Sequence, residues 1–308
     1  MRSLSIVIDR SLLLQPVRGI VTLVLFSWCV TMRGQTDDYP IPTPPDSITD
    51  RAAKITYLAE HYWDRFDFCD TTLLHRGVYA EQAVSNFLFI LNYAEEKADA
   101  VSKWITRVSV NAVSRRYFME MAEKYLYETG SPMHNERLFA LVLKQVLATD
   151  GWADDLSQRA SILLRLVEKN QPGSVAEDFS FLLPDGSTST LHGLHSDNWV
   201  LLLFYDPDCN NCQKIISQLT ANETLQQTIA SRRLSVLAVY AEGDQERWKA
   251  TYNSLPANWL KAMDCSNVRG HLLYDLKAMP TMLLMDCSCR VLLKDCDIDE
   301  LEDYLKRL

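Results

Sequence analysis

Apolar residues in the first half of the chain recur at helical spacing. Ile48, Ala52, Ile55, Ala59 and Tyr62 follow at intervals of four, three, four and three, which puts them on one helix face. Ser47, with Asp50 three residues on, makes a capping-box-like start. The same texture predicts helices near 79–96, 99–108, 111–128, 134–148 and 153–169. Thr129-Gly130-Ser131-Pro132 closes the 111–128 stretch, with Gly130 as a left-handed cap and Pro132 blocking continuation. No strand-like alternation precedes residue 175, and no fixed-period repeat is visible. Residues 48–170 therefore read as an all-α domain.

The pattern changes after Asn170-Gln171-Pro172-Gly173. Phe179 to Leu183 and Ser187 to Thr190 flank Pro184-Asp185-Gly186, a hairpin turn. Val200 to Tyr205 is a continuous apolar run, as in a strand covered on both faces, and Leu234 to Tyr240 is a second. Helical stretches are expected at about 210–230 and 244–253, short strands at Thr281 to Met285 and Arg290 to Lys294, and a closing helix at Leu301 to Leu308. The order β-β-β-α-β-α-β-β-α predicts a three-layer domain over 171–308, a mixed sheet with helices on both faces. The fold class is thus an all-α domain followed by an α/β domain.

The first 34 residues differ again. Arg10 and Arg18 precede an apolar run from Ile20 to Val30, too short to span a bilayer and of the right length for a signal-peptide core. A cleaved leader over 1–34 is the favoured reading, ahead of an uncleaved anchor or a lipoprotein at Cys29, whose neighbour Trp28 is ill suited to that processing. The expected location is the periplasm or cell envelope. Residues 35–47 hold Pro40, Pro42, Pro44 and Pro45, an extended tether. The formal charge of −9 falls to −12 without the leader, which carries Arg2, Arg10, Arg18, Arg33 and Asp9. An acidic chain argues against nucleic acid or an anionic membrane surface as the main partner.

Of eight cysteines, six lie after residue 200: Cys209, Cys212, Cys265, Cys287, Cys289 and Cys296. Cys209-Asn210-Asn211-Cys212 falls where a covered strand gives way to a helix. There the free N–H groups and the helix dipole favour a thiolate at Cys209, and Cys212, one turn on, can close a disulfide. Such a pair attacks a substrate disulfide with its first sulfur and resolves the mixed disulfide with its second. A four-cysteine metal site with Cys287 and Cys289 would need a gap several times longer than the roughly 15–20 residues of such modules. It would also have to bridge on the order of 20 Å of strand. No metal site is expected. Cys265 and Cys296 could lie near the dithiol, and Cys69 is expected in the core. Tyr62, Trp63, Phe66 and Phe68 read as helix core, with a peptide-docking patch as the alternative.

Met279-Pro280-Thr281 opens the next-to-last strand. With Gly173-x-Val175-Ala176-x-Asp178-Phe179, the Pro184-Asp185-Gly186 hairpin and the strand running into Cys209-x-x-Cys212, it makes 173–308 resemble the TlpA/ResA branch of the thioredoxin superfamily, related to the alkyl-hydroperoxide-reductase/thiol-specific-antioxidant group. Tyr62-Trp63-Asp64-Arg65-Phe66-Asp67-Phe68, Tyr125-Leu126-Tyr127 with Ser131-Pro132, and Lys169-Asn170 resemble an uncharacterised helical domain that precedes such modules in bacterial envelope proteins. The first resemblance implies a cis-proline at Pro280 that packs against the dithiol, with Met279 and Thr281 presenting backbone to a substrate strand.

Two departures matter. Asp208 stands where the family usually has Trp, with Asp206 two residues earlier. Nearby carboxylates disfavour a thiolate, so both oppose the helix dipole at Cys209 and point to a reducing couple. A peroxidase would need Thr and Pro where Asp206 and Leu202 stand. The reading is an extracytoplasmic thiol-disulfide oxidoreductase that reduces protein disulfides and draws on an upstream thiol donor, in solution or membrane-bound. No organic cofactor is implied. The competing reading is an envelope binding or assembly protein with a structural dithiol.

Overall fold

The computed structural model describes residues 39–152, 154–194 and 198–307. The expected leader, with Cys29, lies outside the described residues. Six α-helices come first: α1 Arg51–His61, α2 Tyr79–Tyr93, α3 Ala98–Val108, α4 Ala112–Ala122, α5 Glu136–Ala148 and α6 Asp154–Glu168. Their ends differ from the pattern in two places. The cap of α1 is Asp50, not Ser47, and its carboxylate accepts the Ala53 N–H at 2.8 Å. Ile48 is turned back by a bond from its N–H to the Pro45 carbonyl, so it precedes the helix. At the other end of the pattern, α4 runs into a π-turn, Glu123–Tyr127, and Gly130 does not take a positive φ. The freed carbonyls of Tyr125 and Leu126 accept instead from the Ser131 hydroxyl and the Asn135 N–H, which satisfies them without a glycine cap.

The helical half closes around aromatic rings. Trp63 has seven ring neighbours at centroid distances from 5.0 to 6.3 Å, among them Tyr62, Phe87, Trp104 and Phe118. Tyr62, Trp63, Phe66 and Phe68 are all buried there, so the docking-patch alternative falls away. Tyr39 ties the proline-rich segment into the same cluster and donates its hydroxyl to the Tyr62 carbonyl at 2.8 Å. Cys69 corrects an expectation: it is exposed, because the chain turns at Asp67, whose side chain accepts the Cys69 N–H.

The second half holds β1 Ser180–Leu182, β2 Thr188–Thr190, β3 Trp199–Tyr205, α7 Asn210–Ala221, α8 Glu223–Ala230, β4 Leu234–Tyr240, α9 Gln245–Thr251, β5 Leu260–Asp264, β6 Thr281–Met285, β7 Val291–Lys294 and α10 Ile298–Lys306. The sheet order is β2-β1-β5-β4-β3-β6-β7. The pairs β3–β4 and β4–β5 are parallel and the rest antiparallel. β5 escaped the pattern because Leu260-Lys-Ala-Met-Asp264 has no β-branched residue. Tertiary pairing between β1 and β4 makes it a strand. The stretch expected as one helix over 210–230 breaks at Asn222, which ends α7 and caps α8 through the Leu225 N–H. The last helix starts three residues before its expected onset, at a capping box formed by Asp297 and Glu300.

Alternation along β3 divides two apolar layers. Leu201, Leu203 and Tyr205 pack with residues of α7 to α10. Val200, Leu202 and Phe204 pack with Phe179, Leu191, Val268, Tyr274 and Leu276. Irregular chain covers this second face, where a helix was expected. Asp264 starts that segment by accepting the Ser266 and Val268 N–H groups at 2.8 Å each. The helical cluster shares no buried residue with either layer of the sheet.

Candidate active site

Strand β3 delivers the chain to the site. Its central position and covered faces fix Tyr205, and the next four residues turn tightly. The Asp206 carbonyl accepts the Cys209 N–H at 3.2 Å, and its carboxylate accepts the Asp208 N–H at 2.9 Å. Gln213 then donates to the Pro207 carbonyl at 2.8 Å, closing the turn from the helix side. Cys209 becomes the N-cap of α7. Its sulfur accepts the Cys212 N–H at 3.3 Å, in the position that Ser, Thr, Asp or Asn fill in most helices. That geometry points a backbone N–H and the start of the helix at the sulfur.

The two sulfurs face different surroundings. Cys209 is half-buried, whereas Cys212 is fully buried under Tyr205 and Leu219. Burial pushes the Cys212 thiol up to about 12, against a bond from the Asp206 N–H to its sulfur that acts in the other direction. Neighbouring Cys209 adds to the upward shift. Cys209 is thus the sulfur presented to solvent, and burial withholds Cys212.

The bond before Pro280 is cis, and this loop lies against the dithiol. The Met279 carbonyl lies 3.7 Å from the Cys209 sulfur and accepts from the Asn211 amide at 3.1 Å. Thr281 is buried, and its hydroxyl closes the loop on the Ala278 carbonyl at 2.7 Å. The sequence named Cys209, Cys212, Met279, Pro280 and Thr281, and the fold brings all five together. It missed Asn211, whose place inside the motif gives no hint of a partner 68 residues on.

The two carboxylates separate. Asp206 stays beside Cys212, but Asp208 turns outward into a bidentate pair with Arg247 at the start of α9. Arg247 therefore offsets one of the two charges expected to oppose a thiolate. Nothing local in the sequence points to it. Beside Pro207 opens a cleft of about 850 Å³, lined by Tyr205, Ile216, Thr220, Ser254, Leu255 and Pro256.

The remaining described cysteines are all free thiols. Cys296 is buried on the same sheet face, with its sulfur toward the Met282 carbonyl, and burial pushes its thiol up to about 12. Cys289 packs on the opposite face near the Leu191 carbonyl and takes a φ of +57° in the terminal hairpin. Cys265 and Cys287 are exposed. Among the described residues no group of three or more His, Cys, Asp or Glu side chains could hold a metal ion.

A thioredoxin-like protein from Bacteroides caccae is 31% identical, over 87% of this chain and 98% of its own, with a TM-score of 0.77. The chain belongs to the thioredoxin-like proteins. The C-terminal domain of an uncharacterised Bacteroides fragilis protein is 32% identical over 44% of this chain and 98% of that one, with a TM-score of 0.43. The thioredoxin domain of a thiol-disulfide oxidoreductase from Bacteroides vulgatus is 19% identical over 44% and 96%, with a TM-score of 0.39. Residues 22–170 match a domain of unknown function, DUF5106. No curated protein matches in sequence. In this thioredoxin-like protein the helical half and the dithiol-bearing half thus both have counterparts in a single solved chain.

Proposed function

We propose that this thioredoxin-like protein is an extracytoplasmic thiol-disulfide oxidoreductase that reduces protein disulfides through Cys209 and Cys212. The observation that carries the reading is the Cys209 sulfur, capping α7 on the Cys212 N–H with the Met279 carbonyl across from it. Membership of a redox-active fold supports the same class of chemistry.

The Cys209 thiolate attacks one sulfur of the substrate disulfide. A Cys209–substrate S–S bond forms, the substrate S–S bond breaks, and the departing sulfur takes up a proton. Cys212 gives up its proton and attacks the Cys209 sulfur. The protein disulfide forms and the second substrate thiol leaves. Two electrons pass to the substrate, and an upstream thiol donor returns them. Burial of Cys212 fits the order of events, because the sulfur that is hard to ionise acts only once a mixed disulfide lies within reach. The reducing direction rests on Asp206, since Arg247 offsets Asp208. The envelope location rests on the apolar leader pattern of residues 1–34. No described helix is long and apolar enough to cross a membrane.

The test is insulin reduction by the protein without its leader, with dithiothreitol as donor. Wild type should turn over, Cys209→Ser should not, and Cys212→Ser should accumulate mixed disulfides with its substrates. Equal inertness of wild type and Cys209→Ser would sink the reading in favour of a binding or assembly role. Identifying the trapped partner names the substrate.

A further inference from the structure

Glu136 opens α5 in the helical half, and it is buried with both carboxylate oxygens engaged. One accepts from the Lys277 ammonium at 2.7 Å. The other accepts from Lys294 at 2.6 Å and from the Gln171 amide at 2.9 Å. Lys277 also donates to Asp275 at 3.0 Å and to Asp295 at 3.1 Å, and it lies 4.4 Å from the centre of the Tyr127 ring. None of the five charged side chains is more than 13% exposed. Burial opposes the Lys277 charge, but the carboxylates of Asp295, Glu136 and Asp275 outweigh it and hold the ammonium above its ordinary value. Burial likewise opposes the Glu136 charge, and Lys294 with Lys277 outweighs it.

The position of Lys277 gives this network its meaning. Lys277 belongs to the loop that carries Met279 and Pro280, and the Met279 carbonyl faces the Cys209 sulfur. The apolar clusters of the two halves do not merge, so polar contacts make the seam. A second contact reaches the same irregular segment: Asn170 donates to the Leu273 carbonyl at 2.9 Å. A buried ion set tolerates little displacement, because moving one member leaves another charged and uncompensated. The helical half therefore grips the sheet half at the loop that walls the dithiol.

We propose that the helical half sets the position of the Lys277–Thr281 loop through Glu136, which makes Glu136 a positioning residue for substrate docking at Cys209. The proposal rests on the oxidoreductase reading for its consequence and on the seam itself for its geometry. It gives the domain of unknown function a job: to hold the substrate side of a site whose thiols it does not touch.

The experiment compares Glu136→Ala, Glu136→Gln and Lys277→Arg with wild type. Hydrogen exchange is read across the sheet half, and KM and kcat are read separately on a synthetic peptide with one disulfide. Glu136→Ala is expected to speed exchange at 277–283 by about tenfold and raise KM by a similar factor, with kcat within about twofold. Lys277→Arg keeps the charge but not the shape of the ammonium, so it should also speed exchange at 277–283. Should Glu136→Ala not fold, Glu136→Gln, which keeps the side-chain shape, carries the same expectation at smaller size. Unchanged exchange in the loop overturns the proposal. So does a rise spread evenly over the sheet, or a fall in kcat at constant KM, because either marks general destabilisation. A wild type inert toward the peptide overturns the oxidoreductase reading alone, and the loop's exchange rate still decides whether Glu136 holds it.

Discussion

Trp104 and Cys212 are both fully buried, one at the heart of each half, and burial does different work on them. Around Trp104 lie other rings, Trp63, Phe87 and Phe118, and packing is all that they contribute. Around Cys212 the walls are equally apolar, but the buried atom is a sulfur whose ionisation burial opposes. At Trp104 the helical half uses burial for cohesion. The sheet half uses it to separate two thiols of one dithiol, one presented and one withheld. Between them runs a seam of buried charge, which neither core could replace without losing its grip on the loop beside Cys209. The lesson is that the half without chemistry-bearing groups can still govern the site, through position.

The largest contrast comes from substituting the two centres. Cys209→Ser should bring insulin reduction down to background while leaving the melting temperature near wild type. Trp104→Ala should cost about 3–5 kcal/mol of stability. Its folded molecules should keep their exchange rate, measured per folded fraction at low temperature. A Trp104→Ala protein that folds but exchanges poorly would break the division between the halves.

Next in size is the seam. Removing Glu136 leaves Lys277 and Lys294 facing fewer carboxylates, and breaking a buried ion set typically costs about 3–5 kcal/mol. Because the cores are separate, calorimetry on Glu136→Ala should show two transitions where wild type shows one. A single transition at lower temperature would mean that the halves share more than this seam.

Alkali sharpens the comparison further. The buried thiols of Cys212 and Cys296 are raised to about 12 from an ordinary value of 9.0. Above pH 9 the unfolded chain loses these protons and the folded chain keeps them. The unfolded state then binds fewer protons, so stability falls as pH rises, by about tenfold in the folding equilibrium per pH unit and thiol, until pH 12. In the helical half the raised groups are tyrosines, such as Tyr39 and Tyr117 at about 12, and their loss begins only near pH 10. Burial raises Cys265 and Cys289 as well, so reduced protein should lose stability more steeply above pH 9 than a Cys212→Ala/Cys296→Ala variant, as read by denaturant titration at each pH.

The smallest effect belongs to the exposed pair. Arg247→Ala uncovers the Asp208 carboxylate, and an unpaired carboxylate near Cys209 disfavours a thiolate. Alkylation of Cys209 at pH 7 should slow by about two- to fivefold, with no change in melting temperature. An unchanged rate would show that Asp208 has no electrical hold on the dithiol.

Much of this was legible in the chain itself. Helices α2 to α6, the covered strands β3 and β4, the dithiol and the Met279-Pro280-Thr281 turn all rest on local spacing or on neighbours within a few residues, which a sequence displays directly. Three kinds of feature were not. Strand β5 has no strand-forming residues of its own, and two neighbouring strands impose its conformation. The second face of the sheet is covered by irregular chain, because side-chain bonds from Asp264 and aromatic packing on Tyr274 hold it without helix periodicity. And the partners of Asp208, Met279 and Glu136 come from distant stretches: Arg247, Asn211 and Lys277. The sequence by itself determined which residues can do thiol chemistry and where the chain turns from helix to sheet, because propensity and periodicity are local. Only the tertiary structure decided which carboxylate is paired and which distant side chains meet the loop beside Cys209, because charge pairing depends on residues that meet only in the folded state.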